Sequence, residues 1–184
     1  FITSFPEKAI KYGLSSSNII KLDTSIGGRF SIWSSSNLVN AIIFGKEFFT
    51  NFLSGGKSID DLVVNNLEKS LPYILALKSF YFRKYHSIYN HIVIPYSDQL
   101  SLLPSYLQQL VMESNGKSVN SFNENISNSP CSFIFGEVGT DAQHSFFQAL
   151  HQSTLSFTGD LICFSNNLNS EFCIFDDYDK KNSK

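Results

Sequence analysis

Residues 90–111, "NHIVIPYSDQLSLLPSYLQQLV", decide the fold class. The first seven residues form a short, almost wholly apolar run that Pro95 brings to an end, which predicts a buried β-strand. Residues 98–111 then repeat apolar side chains at helical spacing, which predicts an amphipathic helix. A buried strand that leads into a helix is the first half of a βαβ unit.

The same alternation continues toward the C-terminal end. "CSFIFGE" (131–137) predicts a second strand, residues 141–153 a second helix, and "DLICFS" (160–165) a third strand. From residue 90 the predicted order is therefore β-α-β-α-β, which favours an α/β fold whose parallel sheet is joined by crossover helices. Strands made almost entirely of apolar residues indicate a sheet covered on both faces.

The preceding half of the chain has fewer strand signals. "NIIKL" (18–22) predicts a short strand, and apolar recurrence over 34–53 predicts a helix. A Ser-x-x-Asp pattern at Ser58 predicts the start of another helix, over 58–69. Residues 71–86 predict a further helix, with Pro72 in its first turn, where proline is tolerated.

Composition excludes several classes of function. The chain has 184 residues, 14 Lys and Arg against 16 Asp and Glu, and a net charge of −2, so it carries no basic surface for nucleic acid or anionic lipid. No apolar run is long enough to span a bilayer. Three widely spaced cysteines predict a reduced, cytoplasmic protein. His86 and His91 have no acidic or cysteine partner at metal-ligand spacing, so no metal site is predicted.

Two polar loops follow predicted strands, where open parallel sheets bind their ligands. One is "GEVGTD" (136–141), with two glycines before a helix. The other is "DTSIGGRFS" (23–31), in which Gly27 and Gly28 allow close backbone approach and Arg29 supplies a positive charge.

A third segment, "VMESNGKSV" (111–119), holds a lone carboxylate, Glu113, between an apolar run and the turn signal Asn115-Gly116. Residue type alone makes Glu113 a solvated loop charge, and the same holds for Lys117. The alternative is a general base, for which partial burial raises the proton affinity of a carboxylate.

Three stretches together resemble the phosphoglucose isomerase family: "IGGRFSIWS" (26–34), "LPSYLQQLVMESNGKSV" (103–119) and "FGEVGTDAQHSFFQALHQST" (135–154). The similarity runs over about residues 1–164, in the family's order. It implies two α/β domains of the sugar-isomerase-type αβα sandwich, incomplete in this chain. Residues 1–55 correspond to the end of the first domain and the linking helix, residues 56–165 to the start of the second, and residues 166–184 to a divergent tail.

The resemblance assigns roles to four residues. It implies that Glu113 moves a proton between C1 and C2 of the sugar, and that Arg29 stabilises the cis-enediolate. Gln109, four residues before Glu113, would touch the substrate. His144, in Gln-His-Ser-Phe, would help to open the sugar ring.

The implied activity is the interconversion of glucose 6-phosphate and fructose 6-phosphate in glycolysis and gluconeogenesis, without a cofactor. The family's histidine reaches into the pocket of the neighbouring subunit, so the resemblance also implies a homodimer. The family's arrangement therefore predicts that His144 lies far from the Glu113 of its own chain. A separate expectation comes from the residues: because Glu113 and Arg29 both follow apolar segments and precede turns, Glu113 should lie at the carboxyl end of the sheet near Arg29, in one concavity.

Two interpretations stay open. The family's phosphate-binding loop and catalytic lysine would lie outside residues 1–184, and Val138, Asp141 and Ser153 depart from the family pattern. The chain is therefore either part of an isomerase completed by further polypeptide, or a non-catalytic remnant or sugar-phosphate-binding module. By itself it is expected to be essentially inactive on glucose 6-phosphate, because the anchor for the phosphate is not represented.

Overall fold

A computed structural model describes residues 1–127 and 129–164. Its contacts divide the chain into two compact units, Phe1–Tyr81 and Phe82–Lys184. The predicted family-domain division after residue 55 stays a prediction. The predicted divergent tail, 166–184, lies outside the described residues.

The first unit begins with two short parallel strands. β1 (Ile2–Thr3) pairs with β2 (Ile20–Lys21), and α1 (Pro6–Lys11) lies between them in the chain. Pro6 suits the first turn of α1, because a proline there gives up no helical hydrogen bond. β2 falls inside the strand predicted over 18–22.

The bounds predicted for two helices, 34–53 and 58–69, are wrong. The helical segment α2 runs over Leu38–Asn65 and consists of two helices that join at a kink at Gly45, whose φ of 87° and ψ of 168° are not helical. Close packing requires a glycine at position 56 of α2, because an added Cβ would lie 2.7 Å from the ring of Trp33. The Trp33 ring also stacks on the Phe52 ring, with 4.6 Å between the ring centroids. The 3-10 helix Leu67–Lys69 and α3 (Leu71–His86) follow, and α3 has the predicted bounds.

The second unit is built on a three-stranded parallel sheet. β3 (Asn90–Pro95) lies between β4 (Phe133–Gly136) and β5 (Phe157–Ile162), with Ile92 opposite both Phe135 and Gly159. The central strand is the most buried, as its apolar run predicts. The predicted α/β fold with a parallel sheet is confirmed, although β5 begins three residues before the predicted strand.

The helices of this unit are more broken than predicted. The single helix expected over 98–111 is a 3-10 turn (Asp98–Leu100), then α4 (Leu103–Leu107), then a π-helical turn (Gln108–Glu113). The helix expected over 141–153 is α5 (Gly139–Ser145) and α6 (Phe147–Gln152), which meet at Phe146. The break at Phe146 lets its ring meet Phe135 edge-on at 5.3 Å, within the apolar core.

The two connections cover opposite faces of the sheet. The chain moves from β3 to β4 in one direction across the sheet, and from β4 back past β3 to β5 in the other. Right-handed crossovers, the rule for parallel strands, then place α4 with the π-helical turn on one face and α5 with α6 on the other. Ala142 of α5 packs on Ile92 and Ile94, which fixes the face that α5 covers.

Glycine at position 136 permits the pairing of β3 with β4. An added Cβ there would lie 1.8 Å from the carbonyl oxygen of Val93, its partner in the register, whereas one at Gly159 would lie 3.4 Å from the Ile92 oxygen. We expect Gly136→Ala to lower the free energy of unfolding by about 3 kcal/mol, the upper end for overpacking.

Gly159→Ala is the matched control and should change the free energy of unfolding by no more than about 1 kcal/mol. Urea unfolding of the 184-residue chain, followed by circular dichroism, measures both variants. Equal losses of stability in the two variants would contradict the assigned role of Gly136.

Candidate active site

Glu113 ends the π-helical turn Gln108–Glu113, the last part of the connection from β3 to β4. Its Oε2 accepts a hydrogen bond from Gln109 Nε2 at 3.1 Å, because residues four apart lie on the same side of a helix. Both side chains are exposed. The structure therefore brings together the predicted base and the predicted substrate-binding residue, on a kind of turn that is frequent at functional sites.

The turn after Glu113 differs from the prediction. Ser114 and Asn115 are still helical, and neither Asn115 nor Gly116 has a positive φ. The backbone of Gly116 instead lies close to the backbone of Met112. The Gly116 amide donates to the Met112 carbonyl oxygen at 2.8 Å, and an added Cβ at position 116 would lie 2.4 Å from that oxygen. Close backbone packing, rather than left-handed conformation, requires the glycine.

The residues before Glu113 are held at the beginning of β4. Met112 Sδ accepts a hydrogen bond from the Ile134 amide at 3.5 Å, and the Cys131 thiol lies 4.0 Å from the Val111 carbonyl oxygen. Burial raises the pKa of the Cys131 thiol, so Cys131 acts here as a small apolar residue.

The expectation that Glu113 lies at the carboxyl end of the sheet is therefore wrong. The connection leaves the carboxyl end of β3 and runs back across the sheet, so its last residues reach the end where β4 begins. The loop 136–141 does lie at the carboxyl end of β4, leading into α5.

A cavity of about 440 Å³ lies behind the Glu113 segment, between it and the loop that leads to β4. Its lining is formed by Met112, Gly116, Lys117, Ser118, Ile126, Ser129, Cys131 and Phe133. The Glu113 carboxylate is not part of this lining, so the cavity is separate from the Gln109–Glu113 pair.

His144 lies in the last turn of α5 and is exposed. It belongs to the helices on one face of the sheet, and Glu113 belongs to the connection on the other. Among residues 1–127 and 129–164, no hydrogen bond joins His144 to Glu113. One unit therefore presents the predicted base and the predicted ring-opening histidine on different faces of its sheet.

Arg29 lies in the first unit, in the 3-10 helix Gly28–Trp33, and is half-buried. Its guanidinium carbon is 6.0 Å from the centroid of the Phe30 ring, within cation–π range. Gly28 borders open space, because an added Cβ would meet nothing within 4 Å. The backbone beside Arg29 is thus accessible to a ligand. That Arg29 lies near Glu113 stays a prediction.

The loop before Arg29 is shaped by Asp23. Asp23 Oδ1 accepts hydrogen bonds from the amide of Ser25 at 2.8 Å and from its hydroxyl at 2.7 Å. These bonds, the amide's first, hold the pKa of the exposed Asp23 carboxyl below its ordinary value. The turn that they form sets the path of the chain toward Gly27 and Gly28.

Two polar contacts were not predicted from the sequence. The Lys117 ammonium, expected to be solvated, donates to the backbone oxygen of Glu113 at 2.5 Å. His91 joins β3 to β5: its Nε2 lies 2.9 Å from Asp160 Oδ2 and its Nδ1 lies 2.8 Å from Thr158 Oγ1. Predicting these hydrogen bonds would have required the register of β5 against β3, and the periodicity of apolar residues in the sequence does not give that register.

In the described part of the chain, no helix is long and apolar enough to cross a membrane. The same residues contain no group of three or more His, Cys, Asp or Glu side chains that could hold a metal ion.

Comparison with known proteins gives consistent results. A profile of the family "Phosphoglucose isomerase" matches residues 1–177. The glucose-6-phosphate isomerase of Christiangramia forsetii is 40% identical over 158 residues, which are 85% of this chain and 29% of that protein. The enzyme of the same name from Eremothecium gossypii is 38% identical over 153 residues, 83% of this chain and 28% of that protein.

A solved structure is similar as well. The crystal structure of a glucose-6-phosphate isomerase from Chlamydia trachomatis matches with a TM-score of 0.79 and 33% identity, covering 92% of this chain and 37% of that one. The chain spans about 29% of the length of the first curated relatives that it matches.

Proposed function

The chain belongs to the phosphoglucose isomerase family, and we propose that it carries part of the active site of an enzyme interconverting glucose 6-phosphate and fructose 6-phosphate. The observation that carries this proposal is the Gln109–Glu113 pair, a carboxylate held by an amide at 3.1 Å within residues 103–119, one of the stretches that resemble the family. The second motif residue, His144, is presented on a helix with an exposed side chain.

Glu113 is the base of the reaction. Its carboxylate takes the proton from C2 of the open-chain aldose, and the electron pair of that C–H bond forms the C1–C2 double bond of a cis-enediolate. The negative charge of the enediolate is on O1, and the proton of the O2 hydroxyl moves to O1. Return of the carbon-bound proton from Glu113 to C1 then gives the ketose, with its carbonyl at C2. One proton changes carbon, one changes oxygen and no electrons leave the substrate, so the reaction needs no cofactor.

Gln109 and Arg29 assist this step. The Gln109 amide restricts the rotation of the Glu113 carboxylate, which favours the geometry of proton transfer. Arg29 stabilises the negative charge that develops on the enediolate oxygens. The open backbone at Gly28 allows the substrate to come close to the guanidinium.

His144 serves the active site of a second copy of the chain. Its position on the opposite face of the sheet from Glu113 supports this division, because one unit does not bring the two side chains into hydrogen-bond contact. Each complete site then takes Glu113 from one subunit and His144 from the other, so the enzyme is a homodimer. The histidine assists opening of the sugar ring by transferring a proton.

A role in glycolysis implies that the enzyme works in the cytoplasm.

A hybrid protein tests the proposal. It consists of the Christiangramia forsetii relative with the stretch that matches this chain replaced by this chain's residues. We expect the folded hybrid to convert glucose 6-phosphate into fructose 6-phosphate in a coupled assay. A folded, dimeric hybrid that shows no turnover would contradict the proposal and favour a non-catalytic remnant.

A further inference from the structure

The helix that carries Glu113 ends in an unusual way. In an uninterrupted α-helix, the amide of residue 117 would donate to the carbonyl of residue 113. Here the Lys117 amide donates to the Asn115 carbonyl at 2.8 Å instead. The side chain of the same residue takes over the lost contact, because Lys117 Nζ donates to the Glu113 carbonyl oxygen at 2.5 Å.

The neighbouring contacts fix this arrangement. The Gly116 amide is already committed to the Met112 carbonyl at 2.8 Å, and the close approach of these two groups leaves no room for a Cβ at position 116. The chain therefore turns sharply at Gly116 and returns the Lys117 side chain to the helix end. A cation is favourable there, because the last carbonyls of a helix carry partial negative charge.

We infer, resting on the proposed function, that Lys117 is a positioning residue for the base. The Lys117 ammonium holds Glu113 by its backbone, and the Gln109 amide holds it by its carboxylate. Lys117 touches neither the substrate nor the reacting atoms in this scheme. It acts by keeping the backbone of the base in place at a helix end that would otherwise fray.

Loss of the contact between Lys117 and Glu113 should lower kcat. Replacing Lys117 by methionine keeps the length of the side chain and removes its donor, so the backbone of Glu113 gains freedom. A displacement of about 1 Å at a catalytic group lowers the rate by as much as roughly 10²-fold. Substrate binding, in which Lys117 has no part, should be preserved.

The first experiment compares three variants of the hybrid protein. For Lys117→Met we expect kcat per folded enzyme to fall about tenfold to 10²-fold, with KM changed by less than roughly twofold. Lys117→Arg keeps a donor of similar reach and should recover most of kcat. Lys57→Met is the matched control, since Lys57 is an exposed lysine whose partner, Asp61, is also four residues away. An unchanged kcat in Lys117→Met, or an equal loss in Lys57→Met, would overturn the inference.

The second experiment is independent of activity. Amide hydrogen exchange of the 184-residue chain should accelerate by about tenfold over residues 112–116 in Lys117→Met, and should not change there in Lys57→Met. Unchanged exchange would overturn the inference whatever the hybrid does. If the hybrid is inactive while exchange accelerates as expected, the proposed function fails and the capping of Glu113 by Lys117 stands.

Discussion

Replacing Glu113 by glutamine should lower kcat of the hybrid protein by roughly 10²–10⁴-fold, the range for loss of a general base. The amide has nearly the same shape as the carboxylate and can still accept a hydrogen bond from Gln109. It has no basic oxygen to take the C2 proton, so the enediolate cannot form by this route. Two assays measure the effect: coupled turnover, and loss of deuterium from C2-labelled glucose 6-phosphate.

Glu47→Gln provides the control for this prediction. Glu47 is an exposed carboxylate on α2 in the first unit, and the same chemical change there should leave turnover intact. Washout of C2 deuterium at the parental rate in Glu113→Gln would show that a different group removes the proton.

The second unit could be predicted well because its strands are short and strongly apolar. Residues 90–96 have the composition of a strand buried on both faces, and β3 is indeed the central strand of the sheet. The parallel arrangement followed from the alternation of strands and helices, since each connection is long enough for a crossover.

The interruptions of the helices could not be predicted from periodicity. Apolar residues recur in much the same way through an α-helix, a π-helical turn and a kink, so residues 98–111 indicated one regular helix. At α2 the break was predicted at the wrong position. A capping pattern indicated that a helix starts at Ser58, whereas the backbone is helical through Ser58 and the break lies at Gly45.

The position of Glu113 relative to the sheet could not be predicted from the sequence either. A general rule places ligands at the carboxyl ends of parallel strands, and it led to the wrong end of the sheet for this residue. The path of the connection decides the matter, because the segment ends where Met112 meets Ile134 at the beginning of β4. The contact of Lys117 with Glu113 was missed since it depends on the sharp turn at Gly116.

Glu113 and His144 lie on opposite faces of the sheet, and this arrangement leads to a second prediction with a large effect on turnover. In the proposed dimer, each active site combines Glu113 of one subunit with His144 of the other. Glu113→Gln alone and His144→Asn alone should therefore each reduce turnover of the hybrid by roughly 10²-fold or more, because every site in either homodimer lacks one proton-transfer group.

A mixture of the two variants should recover activity that neither has alone. In a heterodimer, the His144→Asn subunit supplies an intact Glu113 and the Glu113→Gln subunit supplies an intact His144 to the same site. The second site of that heterodimer carries both substitutions. Random assortment of equal amounts makes about half of the dimers heterodimers, so roughly a quarter of all sites are intact.

The decisive measurement is the turnover of the two hybrid variants after they are unfolded together in equal amounts and refolded. A site shared between subunits predicts recovery of about a quarter of the parental turnover, against almost none for either variant refolded alone. Turnover of the mixture that stays at the level of the separate variants, in dimers shown to have exchanged subunits, would contradict the shared site.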